Sequence, residues 1–147
     1  MSAVTFHIEA ATEPTHELER AMASLMPQLN PALVGPAREY LTALLADPAT
    51  TLIVASDDAT IIATATVVVY KTPAWVKARI EDVVGDEGAR GRGIGEALIK
   101  ECLNVARKRG ASVVELQSAR RREVANRLYP RMGFEKRESN VYRMTLR

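Results

Sequence analysis

Aromatic residues are scarce in this chain. Phe, Trp and Tyr together make up 5% of 147 residues, with a single Trp. Proteins that hold single-stranded nucleic acid stack bases on rings set among cations. No basic run here has interleaved aromatics, so nucleic acid is not the expected partner. Cysteine is scarcer still, with Cys102 standing alone. One cysteine excludes an internal disulfide. With only His7 and His16 to accompany it, no zinc-type spacing exists and no metal is expected. Cys102 falls on the apolar side of an amphipathic stretch and reads as a packed thiol, not a nucleophile. No apolar run approaches the ~20 residues of a membrane span. The first residues lack the basic start and apolar stretch of a signal peptide. These absences point to a cytoplasmic protein that does not enter membranes.

What is present suits one folded domain spanning 1–147. Hydrophobic residues are 47% of the chain, enough for a core, and charged residues are 26%. The net charge of +2 conceals an asymmetry. Residues 1–70 carry 2 basic and 8 acidic side chains, whereas residues 71–147 carry 18 basic and 10 acidic ones. The basic half favours an anionic ligand.

Periodicity gives a coarse order of elements. Residues 5–10 alternate as a strand. Residues 15–26 read as a helix with Leu18, Met22, Leu25 and Met26 inward, followed by a loop punctuated by Pro27, Pro31, Gly35 and Pro36. A shorter helix over 37–46 turns Tyr40, Leu41, Leu44 and Leu45 inward. Strands 51–55 and 61–70 form a hairpin about Asp57-Asp58. A strand over 74–84 sets Ala78, Ile80, Asp82 and Val84 against Arg79, Glu81 and Val83. The clearest helix covers 96–109, then come a strand over 112–118 and a short helix over 123–132. Pro130 inside that helix should break or kink it. A last strand or hairpin arm is expected over 138–146. Strands and helices in this order make an α+β domain.

The most informative stretch is Arg90-Gly91-Arg92-Gly93-Ile94-Gly95, between an apolar strand and the clearest helix. Glycines let the backbone bring its N–H groups close to a ligand. The following helix adds the positive end of its dipole. Together they make a place for phosphate. Two familiar phosphate signatures do not fit. The P-loop string is absent. The dinucleotide fingerprint G-x-G-x-x-G/A meets Glu at position 96 and is only partly matched, although Glu115 stands near the place of the ribose-binding acid. The pattern R-x-x-G-x-G is met by Arg90, Gly93 and Gly95. It follows Ile80-Glu81-Asp82-Val83-Val84 and precedes Glu115-Leu116-Gln117-Ser118. Farther on comes Ala125-Asn126-Arg127-Leu128-Tyr129-Pro130-Arg131-Met132-Gly133-Phe134.

This whole arrangement resembles the GNAT superfamily, the GCN5-related N-acetyltransferases. The likeness is strong over 75–147 and extends to 1–70 only in element order. It implies a mixed central sheet of six or seven strands with about four helices, and strands splayed apart at an acetyl-CoA site. The implied reaction is direct transfer of an acetyl group from acetyl-CoA to a primary amine, expected to be that of a small molecule. A peptide or protein amine, or a non-catalytic acyl-CoA-binding sensor, are the alternative readings. The string Ile80–Val84 also resembles glucosamine-6-phosphate acetyltransferases, as a minor option. A homodimer is a further expectation, since small members of the superfamily often pair.

The resemblance also assigns roles. The backbone of Arg90, Gly91, Arg92, Gly93, Ile94 and Gly95 would cradle the pyrophosphate, with at least one of the two arginine side chains facing it. Main-chain groups of Val83 and Val84 would pair with the pantetheine arm, and the Val84 N–H would polarise the thioester carbonyl. Glu81, preferred over Asp82, would take the amine's proton through water. Neighbouring strand residues face opposite ways, so only one of these two acids is expected at the acetyl group. Tyr129 would reprotonate the leaving thiolate, and Asn126, one turn earlier, would contact the cofactor. Pro130 departs from the usual pattern and disfavours helical geometry at Tyr129.

Overall fold

The computed structural model describes residues 6–147. Thr5, the first residue of the expected opening strand, lies outside that range. The chain forms two compact units, Met1–Gln117 and Ser118–Arg147.

The first unit holds all five strands: β1 His7–Ala10, β2 Thr50–Asp57, β3 Thr60–Lys71, β4 Val76–Gly85 and β5 Val113–Leu116. Their spatial order follows the chain. β1 to β4 pair antiparallel, and β4 pairs with β5 in parallel. The parallel pair is joined by helix α3 Ile94–Lys108, as such a crossover requires. Two further helices, α1 His16–Leu29 and α2 Arg38–Ala46, precede β2.

The sheet is buried on both faces. Leu52 and Val54 of β2 and Val84 of β4 pack with Leu18, Ala21, Met22 and Leu25 of α1 and Leu41 of α2. The alternate residues Ile53, Ala55, Ala63, Ala65, Val67, Ala78 and Ile80 are buried too. By cross-strand register they share the opposite face, where α3 brings Leu98, Ile99, Cys102 and Ala106. Burial pushes the Cys102 thiol up to about 12, with the nearby Glu101 carboxylate adding to the rise. It is a packed thiol, as its position in the pattern suggests.

α1 runs through Pro27 to Leu29, three residues beyond the expected end. Proline removes one donor from the ladder. The last turn holds regardless, because Met26 and Leu29 pack on the core and the Asn30 N–H closes onto the Met26 carbonyl. Tyr40 is exposed, not inward. α2 is only nine residues long and buries Leu41 alone. The loop after α1 passes so close to it that a Cβ on Gly35 would stand 2.7 Å from Ala23 Cα and 2.8 Å from Ala23 N. Both are backbone atoms, so one segment must move. Gly35→Ala is expected to destabilise the fold by about 1–3 kcal/mol, read as a lower urea midpoint with an unchanged slope.

The second unit contains α4 Glu123–Arg131 and ends in a segment with no regular structure. The expected last strand over 138–146 does not form. Val141, Tyr142, Met144 and Leu146 are exposed and join no sheet. The sheet therefore has five strands, not six or seven. A period-two pattern marks a segment able to be a strand, but only packing and cross-strand pairing make it one. Pro130 does not break α4 either, because it sits one residue before the helix ends. Met132, Gly133 and Phe134 close that end by donating to the Leu128, Tyr129 and Pro130 carbonyls.

Candidate active site

Pairing between β4 and β5 stops at Ile80 and Leu116. β4 continues to Gly85, so its last five residues have β3 on one side and no strand on the other. This is the opening between strands that the resemblance implies. A backbone edge left open in this way can pair with an extended ligand.

The same stretch contains a bulge. Thr66 pairs with Glu81 and Thr64 with Val84, so Asp82 and Val83 together oppose the single residue Ala65. Asp82 takes φ 51, a left-handed conformation that Asp tolerates better than most residues. The extra residue corrects the expected alternation. Across the register, Arg79, Glu81 and Val84 share the face that carries α1 and α2, along with Thr64 and Thr66. Asp82 is displaced from the regular pattern and exposed. Val84 is a core residue and Val83 is half-buried. Glu81 accepts a 3.0 Å hydrogen bond from Arg79 Nε. Arg79 Nη2 in turn donates to Gln117 Oε1 at 3.0 Å. Arg79 and Gln117 carry no motif, and nothing local in the sequence announces them.

After β4 the chain makes one 3-10 turn, Glu87–Ala89, and enters the glycine run. Gly91 and Gly93 have φ of 84 and 76. Only glycine adopts these values freely, so both are required by the turn itself. Gly93 is also the N-cap of α3, and no side chain caps that helix. The first N–H groups of a helix have no intrahelical partner. Here they open onto the turn, beside the positive end of the dipole.

Gly95 is different. It lies in the first turn of α3, outside the positive-φ region, and a Cβ built on it meets nothing within 4 Å. The fold does not need glycine there. The same empty space surrounds the Cβ positions of Gly91 and Gly93. The turn thus carries three residues without side chains ahead of uncapped helix N–H groups, a cradle suited to phosphate. Ile94 between them is buried and anchors the turn to the core.

The two arginines separate. Arg92 Nη1 donates to Asp57 Oδ2 at 3.0 Å, tying the turn to the β2–β3 hairpin. Arg90 is exposed and forms no ion pair among the described residues.

Within the second unit, Asn126 donates to the carbonyls of Ala119 at 2.9 Å and Arg120 at 3.4 Å, closing the loop before α4. Tyr129 is buried, and its ring meets Phe134 edge-on with centroids 5.8 Å apart. Burial raises its phenol pKa above the ordinary value, against a smaller lowering by the Arg122 charge. Tyr129 stays inside α4 in spite of the following proline.

A five-stranded α+β sheet opened at its parallel pair, followed by an uncapped glycine turn, defines a class of fold with a free strand edge beside a turn suited to phosphate. Comparison with known proteins assigns the particular family. The chain belongs to the acetyltransferase (GNAT) family, which it matches over residues 15–134. An uncharacterized N-acetyltransferase of Methanocaldococcus jannaschii is 43% identical over 61 residues, 42% of this chain but 27% of that protein. An aminoglycoside acetyltransferase from an uncultured soil metagenomic sample superimposes with a TM-score of 0.84 at 20% identity, over 97% of both chains. Glucosamine-6-phosphate N-acetyltransferase of Arabidopsis thaliana gives a TM-score of 0.80 at 20% identity, covering 95% of this chain and 98% of that one.

Proposed function

We propose that this protein transfers the acetyl group of acetyl-CoA directly to the primary amine of a small molecule, with 1–147 acting as one catalytic domain. The observation that carries this reading is Gly95, whose missing side chain keeps the cradle open without serving the fold. When bound, acetyl-CoA supplies an activated thioester and a thiol leaving group.

The backbone N–H groups of residues 90–95 hold the pyrophosphate, with the Arg90 side chain adding charge. Arg92 contributes its backbone, while its side chain keeps the turn on Asp57. The open edge of β4 at Val83 receives the pantetheine arm, and a backbone N–H on that edge stabilises charge developing on the carbonyl oxygen, whereas Val84 pairs with Thr64 and turns its own N–H toward β3. An acceptor amine lies beside α1 and the loop after it. With a pKa of ~10 it arrives protonated and must lose a proton before it attacks. Glu81 takes that proton through water, its carboxylate oriented by Arg79. Tyr129 returns a proton to the thiolate. Its raised pKa keeps the phenol protonated throughout the neutral range. Asn126 steadies the loop leading to Tyr129 and offers its carbonyl oxygen to the cofactor. A cytoplasmic homodimer belongs to the same proposal and is read by light scattering on the purified protein.

The testing experiment measures thiol release from acetyl-CoA with a panel of amines. Solved structures of this fold include aminoglycoside, glucosamine-6-phosphate and ribosomal-protein-alanine acetyltransferases. The panel therefore contains sisomicin, glucosamine 6-phosphate and a peptide with an N-terminal alanine. Turnover with a small amine is expected. Turnover with the peptide alone would move the acceptor class to proteins. Tight CoA binding with no turnover across the panel would leave only a sensor role.

A further inference from the structure

The segment between β4 and the glycine turn is short, a single 3-10 turn, and a tie to a distant element fixes it. One side chain from a distant helix does so. Gln28, near the end of α1, places its Oε1 2.8 Å from the Glu87 N–H, which donates to it. Its Nε2 donates to Asp86 Oδ1 at 3.0 Å and to the Ser24 carbonyl at 3.1 Å. The other Asp86 oxygen accepts from the Gly88 N–H at 3.1 Å, and the Asp86 N–H donates to the Ile62 carbonyl of β3 at 2.7 Å. The partners fix the amide orientation. A backbone N–H can only donate, and a carboxylate can only accept. Gln28 is half-buried, so these bonds are partly sheltered from competing water.

We propose that Gln28 is a positioning residue that couples α1, the helix beside the acceptor, to the turn that holds the cofactor's pyrophosphate. The inference rests on the acetyl-CoA reading above. Binding of CoA orders the glycine turn, and the Gln28 carboxamide transmits that order from Asp86 and Glu87 to the last turn of α1. Loosening of this contact frees the turn and costs part of the CoA affinity.

The geometry supplies a reciprocal test. In Gln28→Glu, two carboxylates confront each other. In Asp86→Asn, the new amide cannot accept from both Gln28 and Gly88. The double variant Gln28→Glu/Asp86→Asn reverses the donor and acceptor of the central bond and keeps the bonds from Glu87 and Gly88, giving up only the exposed bond to the Ser24 carbonyl. CoA affinity is measured by calorimetry, and amide hydrogen exchange in residues 24–28 is followed with and without CoA. Each single variant is expected to bind CoA about tenfold more weakly, the size of one charge-assisted hydrogen bond. Each should also lose the protection that CoA confers on residues 24–28. The double variant is expected to regain both.

Single variants that bind CoA like the wild type overturn the inference. So does a wild type that binds CoA without protecting residues 24–28, or a double variant as impaired as the singles. A merely structural role would lower thermal stability but leave the CoA-dependent protection in place. If the wild type itself does not bind CoA, the acetyl-CoA reading falls and takes this inference with it.

Discussion

Gly95→Glu is expected to leave the fold as stable as before, or more so, while lowering CoA affinity at least about a hundredfold. The two effects have opposite signs because they arise from different neighbours. A glycine in a helix costs roughly 0.5–1 kcal/mol relative to residues with side chains. An acid in the first helical turn gains about 0.3–1 kcal/mol from the dipole. Beyond its own helix backbone the Cβ meets no atom within 4 Å, so no clash offsets these gains. The new carboxylate stands in the cradle, where it repels a pyrophosphate. Two unit charges about 4 Å apart near a protein surface repel by ~4 kcal/mol. Gly93→Ala is the contrasting control. Its φ of 76 makes any side chain unfavourable, so stability and affinity should fall together. Thermal melting and CoA calorimetry on the same samples separate the cases. A Gly95→Glu protein that binds CoA normally would remove the cradle from the mechanism.

Tyr129→Phe is expected to lower kcat about a hundredfold, within the range of lost general-acid catalysis. The ring remains, so the edge-on contact with Phe134 is kept and melting should change little. CoA affinity should also stay near that of the wild type. The pH dependence follows from the direction of the pKa shift. Proton donation requires the neutral phenol, and burial moves its loss of a proton above ~10. The wild-type rate should therefore rise with pH as the amine deprotonates and show no Tyr129-dependent fall below about pH 10. A Tyr129→Phe enzyme with unchanged kcat would assign the buried ring to packing alone.

Much of the candidate site's backbone geometry was legible in the sequence because its parts are local. Turn glycines, the helix after them and the apolar strand before them lie within about twenty residues, and each is governed by backbone preference or short-range periodicity. The hairpin about Asp57-Asp58 was legible for the same reason. What escaped depends on contacts between distant segments. The bulge at Asp82 appears only against β3, where two residues oppose Ala65. Arg90 and Arg92 are equivalent in the sequence until Asp57, 35 positions before Arg92, claims the Arg92 side chain. Gln28 is an unremarkable polar residue beside a proline until Glu87, 59 positions later, donates to it. The expected strand over 138–146 failed in the converse way, with a local pattern present but no cross-strand pairing to the sheet, whose β5 edge stays unpaired.

The sequence by itself determined where the glycine turn falls and which helix stands behind it, since φ preferences and helical period are properties of neighbouring residues. Tertiary structure alone decided which arginine is free, which face Glu81 shares with Val84, and how the turn is tied to α1. Those outcomes depend on strand register and on hydrogen bonds between segments that the chain brings together only by folding.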